Sequence, residues 1–153
     1  MGRLLILLYG TVCYFLFLGT FLYAIWFVWT MDEPQPAAPL GRALIINTGL
    51  LLLFAIQHIV MARQWFKRAW TKIVPQPVER STYVLLSSLA LLALFHLWQP
   101  MMSVIWEVET KAAQMVLHGL FAGGILLVLV STFLIDHFEL FGLKQVWNHW
   151  RQQ

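Results

Sequence analysis

The sequence predicts an all-α, polytopic membrane protein: a bundle of four transmembrane helices with short interfacial helices and both termini in the cytoplasm. Four apolar stretches each approach or exceed the roughly 17 to 25 residues that a helix needs to cross a bilayer. Hydrophobic residues make up 60% of the chain and charged residues 11%, with a mean hydropathy of +0.73, whereas soluble domains have about 25% charged residues. Four spans and their connections account for all 153 residues, so we expect one transmembrane domain, 1–153. The predicted spans are residues 4–29, 43–62, 82–98 and 112–135.

The first span is predicted to be an uncleaved anchor. Met1-Gly2-Arg3 is a short positive start, as in a secretory signal, but the apolar run of about 26 residues exceeds the 7 to 15 of a signal. The single cysteine, Cys13, lies within this span, so the sequence has no disulfide framework and no metal-binding cysteine pair.

The first connection is predicted to be an extended loop. Asp32 and Glu33 are followed by Pro34, Pro36 and Pro39. Because proline lacks an N–H and restricts the residue before it, this run excludes a helix.

The second connection, residues 63–81, is basic and aromatic. Trp65, Phe66 and Trp70 interleave with lysines and arginines, which predicts a short helix on the cytoplasmic surface with its rings toward the membrane. Similar mixtures stack on single-stranded nucleic acid. Beside a membrane span, contact with anionic headgroups is the favoured interpretation, and we expect no nucleic-acid partner.

The boundaries of the last two spans carry capping signals. Ser81 or Thr82 is predicted to cap the third span, Pro100 follows its end, and Thr110 is a candidate cap for the fourth. After the fourth span, residues 136–153 are predicted to turn along the cytoplasmic interface.

Two glycines of the fourth span, Gly119 and Gly123, lie about one helical turn apart. Their spacing allows another helix to approach closely. We interpret this face as a packing surface within the chain, with an oligomer contact as the alternative.

The basic residues predict the orientation. The only basic residues in the first and third connections are Arg42 and Lys111, and the other charged residues there are acidic. Because positively charged loops resist translocation, the other side is expected to be cytoplasmic. We expect a location in a bacterial cytoplasmic (inner) membrane, with membrane lipids as the first partners. The basic residues on that side are Arg3, Arg63, Lys67, Arg68, Lys72, Arg80, Lys144 and Arg151.

Polar residues concentrate at the predicted cytoplasmic ends of three spans. Ionisable groups at membrane depth are costly, so each is a candidate functional residue. One interpretation is the floor of a cytoplasm-facing pocket, in which Glu79 and Arg80 pair with Asp136 or His137. The other is a set of salt bridges that hold the helix ends. The candidates are Glu79, Arg80, Tyr83, Asp136 and His137 for catalysis, and Gln57 and His58 for cofactor binding.

Two further histidines, His96 and His118, are predicted near the outer ends of the third and fourth spans. Two imidazoles there could ligate a haem iron or a metal. No third ligand accompanies them, so we interpret them as interface histidines and predict no metal site. The sequence also lacks a glycine-rich phosphate loop, a His-Glu-x-x-His motif and a Gly-x-Ser-x-Gly motif.

Three runs at the predicted cytoplasmic level, 57–63, 79–89 and 136–146, resemble a known family. The most specific blocks are Glu-Arg-Ser-Thr-Tyr at 79–83 and Phe-Gly-Leu at 141–143. Together they resemble the N-terminal part of bacterial methanethiol S-methyltransferases, members of the nurim family and relatives of the isoprenylcysteine carboxyl methyltransferases. The resemblance implies a membrane enzyme that moves a methyl group from S-adenosylmethionine to a small thiol, producing a thioether such as dimethyl sulfide.

The resemblance also implies that part of the enzyme is missing. Family enzymes continue into further spans that hold the cofactor with an Arg-His-Pro motif and an acidic pair, whereas this chain stops at Gln153 and contains no Arg-His-Pro. We therefore expect the chain to be inactive and to bind no cofactor alone, and to bind S-adenosylmethionine only when a C-terminal half completes it. The alternative is a non-catalytic accessory subunit of a larger membrane complex of the respiratory or photosynthetic type.

Overall fold

The computed structural model describes residues 2–31, 36, 38–101 and 107–151, and within these ranges it contains helices and no strand. Four of the helices are long and apolar enough to cross a membrane, which confirms the predicted all-α, four-span fold. The acidic pair Asp32 and Glu33 and the chain end at Gln153 lie outside the described residues. The helices are α1 (Arg3–Trp29), α2 (Leu40–Met61), α3 (Gln64–Trp70), a 3₁₀ turn (Gln76–Val78), α4 (Glu79–Leu97), α5 (Lys111–Ile135), α6 (His137–Leu140) and α7 (Leu143–Arg151).

The start of α4 differs from the prediction. Ser81 and Thr82 do not cap this helix: it starts at Glu79, directly after the 3₁₀ turn, and Val78 occupies the cap position. Thr82 lies one turn inside, and its hydroxyl donates to the carbonyl of Val78 at 2.8 Å. The 3₁₀ turn has already set a helical path, so α4 begins three residues earlier than expected. Thr110 does occupy the cap position of α5, but its side chain makes no capping hydrogen bond.

Helix α4 lies between α1 and α2 and forms the centre of the packed unit. At one end, buried Asn47 of α2 binds the backbone of Gln99 just beyond α4. The Asn47 amide donates to the Gln99 carbonyl at 2.8 Å, and the Gln99 N–H donates to Asn47 Oδ1 at 2.9 Å. The side chain thus satisfies two backbone groups of the segment that follows α4.

The other end of the bundle is where α1 and α4 start and α2 ends; we call it the basic end. Here α7 packs against α1, and Val146 is buried in a small core with Ile6 and Val78. A Cβ added at Gly10 would lie 2.6 Å from both Val146 methyl groups, so only glycine allows this approach. The segment after the fourth span is therefore folded back onto the first helix.

Helix α5 is the least covered span, since none of its residues is buried within the described structure. A Cβ added at Gly119 or at Gly123 would have no heavy atom of another described element within 4 Å. The interpretation of this face as packed within the chain is therefore wrong for the described residues, because no neighbouring span lies against it. At one end of α5, the ring of His118 lies 4.7 Å from that of Trp29 on α1.

Candidate functional site

The candidate residues all lie at the basic end, but the structure separates them into three groups rather than one. Each group is held by a different pair of elements. The groups are Gln57, His58 and Tyr83 between α2 and α4, Glu79 and Arg80 at the start of α4, and Asp136 and His137 after α5.

The first group is a hydrogen-bonded cluster that spans α2 and α4. The Tyr83 hydroxyl lies 3.0 Å from His58 Nδ1 and 3.2 Å from Nε2. The Gln57 amide donates to Ser87 Oγ at 3.2 Å, and His58 Nδ1 lies 3.4 Å from the same oxygen. His58 and Tyr83 therefore form a polar pair with one exposed imidazole at the end of a membrane span.

The second group lines a cavity of about 230 Å³ between the start of α4 and the α6–α7 segment. Glu79 is buried, and the backbone N–H of Arg80 donates to Gln145 Oε1 at 3.2 Å. This bond ties α7 to the first turn of α4. The lining residues are Glu79, Arg80, Glu139, Lys144, Gln145 and Asn148.

Asp136 pairs with Lys144, and among the described residues it forms no ion pair with Arg80. It has a left-handed backbone, with φ 118°, and its side chain accepts from the Glu139 N–H at 3.1 Å as the N-cap of α6. The Lys144 ammonium donates to both Asp136 and Glu139. The bond to Lys144 lowers the pKa of Asp136 and raises that of Lys144. Asp136 therefore holds the turn between α5 and α7.

His137 is buried in the third group, between α1 and α5. Its Nδ1 lies 2.8 Å from Thr132 Oγ1, and its Nε2 lies 2.9 Å from the Tyr14 hydroxyl. The Thr132 hydroxyl already donates its one proton to the Leu129 carbonyl at 2.7 Å, so it accepts from His137 Nδ1–H. Nε2 then accepts from Tyr14, and the imidazole is neutral. Burial lowers the pKa of His137, in agreement with this assignment.

The two most specific sequence blocks touch each other. Gly142, with φ +83°, lies against the first turn of α4, and a Cβ there would be 2.8 Å from both the N and Oγ of Ser81. The Phe-Gly-Leu turn therefore docks onto the Glu-Arg-Ser-Thr-Tyr block.

Sequence reasoning did not identify Tyr14, Ser87, Gln145 or Asn148 as neighbours of the candidates. For Ser87 a signal existed, because Glu79, Tyr83 and Ser87 recur every fourth residue on one side of α4. The partners from α1 and α7 had no such signal, since their contacts depend on how distant helices pack.

The outer histidines contact aromatic rings of α1. The ring of His96 lies 6.2 Å from that of Tyr23, and His118 lies beside Trp29. Within the described ranges, no group of three or more His, Cys, Asp or Glu residues is placed to hold a metal ion.

Comparisons with known proteins show close relatives over almost the whole chain. A methanethiol S-methyltransferase of Mycobacterium tuberculosis is 51% identical over 99% of this chain and 64% of its own length. One of Crocosphaera subtropica is 47% identical over 100% of this chain and 62% of its own length. Nurim of Homo sapiens is 36% identical over 67% of this chain and 41% of its own length. The chain thus spans less than two thirds of these relatives. No protein-family model and no solved structure gives a significant match.

Proposed function

The chain is a methyltransferase-like membrane protein homologous to the methanethiol S-methyltransferases, and from this relationship we propose that it serves in S-methylation of a small thiol at the cytoplasmic membrane face. The observation that carries the proposal is 51% identity to such an enzyme over 99% of this chain. The proposed acceptor is methanethiol or a thiol of similar size. Because the chain covers 64% of that relative, we propose that it supplies one part of the active unit.

The methyl donor in this proposal is S-adenosylmethionine, which supplies a methyl group on a sulfonium centre. The thiol loses its proton, its sulfur takes the methyl group, and the donor leaves as S-adenosylhomocysteine; methanethiol gives dimethyl sulfide. Such a transfer depends chiefly on holding the two sulfur centres in line and excluding water. The protein's part is therefore orientation and removal of one proton.

His58 is the side chain we propose as the proton acceptor. Its ring is exposed at the end of α2, where a small apolar thiol can arrive from the membrane, and Tyr83 and Ser87 hold it in position. An imidazole is the side chain best suited to accept a proton near neutral pH. His137 is less suited, because both of its nitrogens are engaged in a buried site.

The test uses membranes from a host that makes no dimethyl sulfide. The chain is expressed alone and together with the part of the M. tuberculosis relative that it does not match. We expect trideuteromethyl-labelled S-adenosylmethionine and methanethiol to give labelled dimethyl sulfide in the headspace, and His58→Gln to lower kcat about 10²-fold or more. His149→Gln, on α7, is the matched control. Absence of product under both conditions would exclude the proposal.

An accessory subunit is the second candidate, and the open face of α5 favours it. A span with no buried residue has surface available for another protein. In this case native purification in mild detergent brings other membrane proteins along, and the Gly123→Leu variant loses them. A lone monomer that is active in the methyl-transfer assay would contradict it.

A further inference from the structure

Glu79 is a buried carboxylate on the wall of the cavity at the basic end. The residue is 8% exposed, and among the described residues no ion pair or hydrogen bond engages its side-chain oxygens. The Glu79 oxygens are not among the buried side-chain atoms that lack a partner, so they reach the space of the cavity. A carboxylate in such a position is best compensated by a cation or a hydrogen-bond donor.

The remaining charges of the cavity are divided unequally. The Lys144 ammonium is bound by Asp136 and, at 3.1 Å, by Glu139, so this cation is already neutralised. Arg80 stands next to Glu79 in the chain and lines the same cavity; the described residues place no carboxylate within 4 Å of its guanidinium. One carboxylate and one guanidinium thus remain for a ligand, and they match one cation and one anion held close together.

The size of the cavity limits the ligand to a small group. Its volume of about 230 Å³ is below the roughly 300 to 1,000 Å³ of ordinary small-molecule sites. It suits the charged end of a larger molecule, with the rest lying outside. The side chains of Gln145 and Asn148 complete the wall with neutral polar groups.

We propose that this cavity binds a zwitterionic group, with a primary ammonium on Glu79 and the neighbouring anion on Arg80. Two sources have this chemistry: the amino-acid end of S-adenosylmethionine and the headgroup of phosphatidylethanolamine. Assignment to the methyl donor rests on the proposed function, and it differs from the expectation that the chain alone binds no cofactor. Tyr83 lies one helical turn beyond Glu79 on the same side of α4, about 6 Å away, which places the cavity beside the His58–Tyr83 pair.

The test measures binding by the purified full chain in phosphatidylcholine nanodiscs. We expect NMR titration to show binding of S-adenosylmethionine, and at least tenfold weaker binding of 5′-methylthioadenosine, which lacks the amino-acid group. Glu79→Gln and Arg80→Gln are each expected to weaken the binding of S-adenosylmethionine at least about tenfold, because each removes a charge-assisted hydrogen bond. Glu109→Gln, outside the cavity, leaves binding unchanged. Asn148→Ala, a change at an exposed residue of the cavity wall, weakens binding of S-adenosylmethionine severalfold.

A second arm identifies the source of the ligand. The same titration is repeated in nanodiscs that contain phosphatidylethanolamine. If this lipid weakens the binding of S-adenosylmethionine to the wild type but not to Glu79→Gln, the cavity is assigned to the lipid. The proposal is overturned if neither S-adenosylmethionine nor phosphatidylethanolamine binds. It is also overturned if Glu79→Gln and Arg80→Gln bind the ligand as tightly as the wild type. If methanethiol is methylated with an unchanged KM for the donor in both variants, the assignment of the cavity to the methyl donor fails and the proposed function stands. If binding depends on Glu79 but no methyl transfer occurs, the cavity assignment stands and the proposed function fails.

Discussion

Gly142 shows how one residue can determine the docking of a whole segment. Its φ of +83° is in the left-handed region, and Ser81 fills the space where a side chain would begin. Ser81 itself is fully buried, and its hydroxyl oxygen has no hydrogen-bond partner in the described structure. At this contact a small side chain is needed for close packing rather than for hydrogen bonding.

Replacing Gly142 with alanine is expected to destabilise the protein by about 2–4 kcal/mol, because the left-handed backbone costs roughly 1–2 kcal/mol and the added methyl group forces Ser81 to move. Thermal unfolding in detergent measures the effect. Gly19→Ala is the matched control: Gly19 is within α1 and a Cβ there meets nothing within 4 Å, so we expect no loss or a small gain. Equal melting temperatures for Gly142→Ala and the wild type would contradict this assignment.

His137 is expected to make stability depend on pH. Burial lowers its pKa in the folded state, so the unfolded chain binds the proton more readily. Stability is then full above the unfolded value of about 6.5 and falls as the pH decreases through it. Asp136, whose pKa is lowered, and Lys144, whose pKa is raised, keep their charges in this range.

Melting temperatures between pH 7.5 and 5.5 measure the effect of His137. We expect His137→Gln to have a lower melting temperature at pH 7.5 but a flatter pH dependence than the wild type. Identical slopes for the two proteins would show that another group titrates.

At the scale of the element, α4 organises the described bundle because it contacts both α1 and α2. Its first turn contributes to the cavity and its second to the His58–Tyr83 pair, while its end is held by Asn47. The sequence predicted the existence of this helix and most of its length. The buried amide that holds its end was not predicted, since nothing in the pattern of α2 distinguishes Asn47 from a tolerated polar residue.

Asn47→Leu is expected to destabilise the protein by about 2 kcal/mol, because it removes two hydrogen bonds and leaves the N–H and C=O of Gln99 without partners. Hydrogen exchange at the Gln99 amide should accelerate together with a fall in melting temperature. Gln114→Ala, which removes an exposed side-chain bond to Val108, should change neither value. Unaltered exchange in Asn47→Leu would show that these two hydrogen bonds contribute little.

At the scale of the whole molecule, labelling from outside the cell tests the predicted orientation. Cys13 is buried, so a cysteine introduced elsewhere reports its own position. We expect an impermeant maleimide to label Lys111→Cys on intact cells, and Lys72→Cys only after the membrane is permeabilised, because the basic connection should be cytoplasmic. Labelling of Lys72→Cys on intact cells would reverse the orientation and move the cavity to the outside.

The sequence by itself determined the helical class, the four spans and the level at which the polar residues collect, because hydropathy and helix length are local properties of the chain. Only the tertiary structure decided which side chains meet. In the folded protein Asp136 pairs with Lys144 and not with Arg80. Asn47 binds the backbone of Gln99, and Gly142 packs against Ser81. The tertiary structure also left α5 open, which the glycine spacing did not predict. In a bilayer, lipid and neighbouring helices are similarly apolar, so an apolar pattern predicts that a helix spans the membrane but not which of its faces another helix covers.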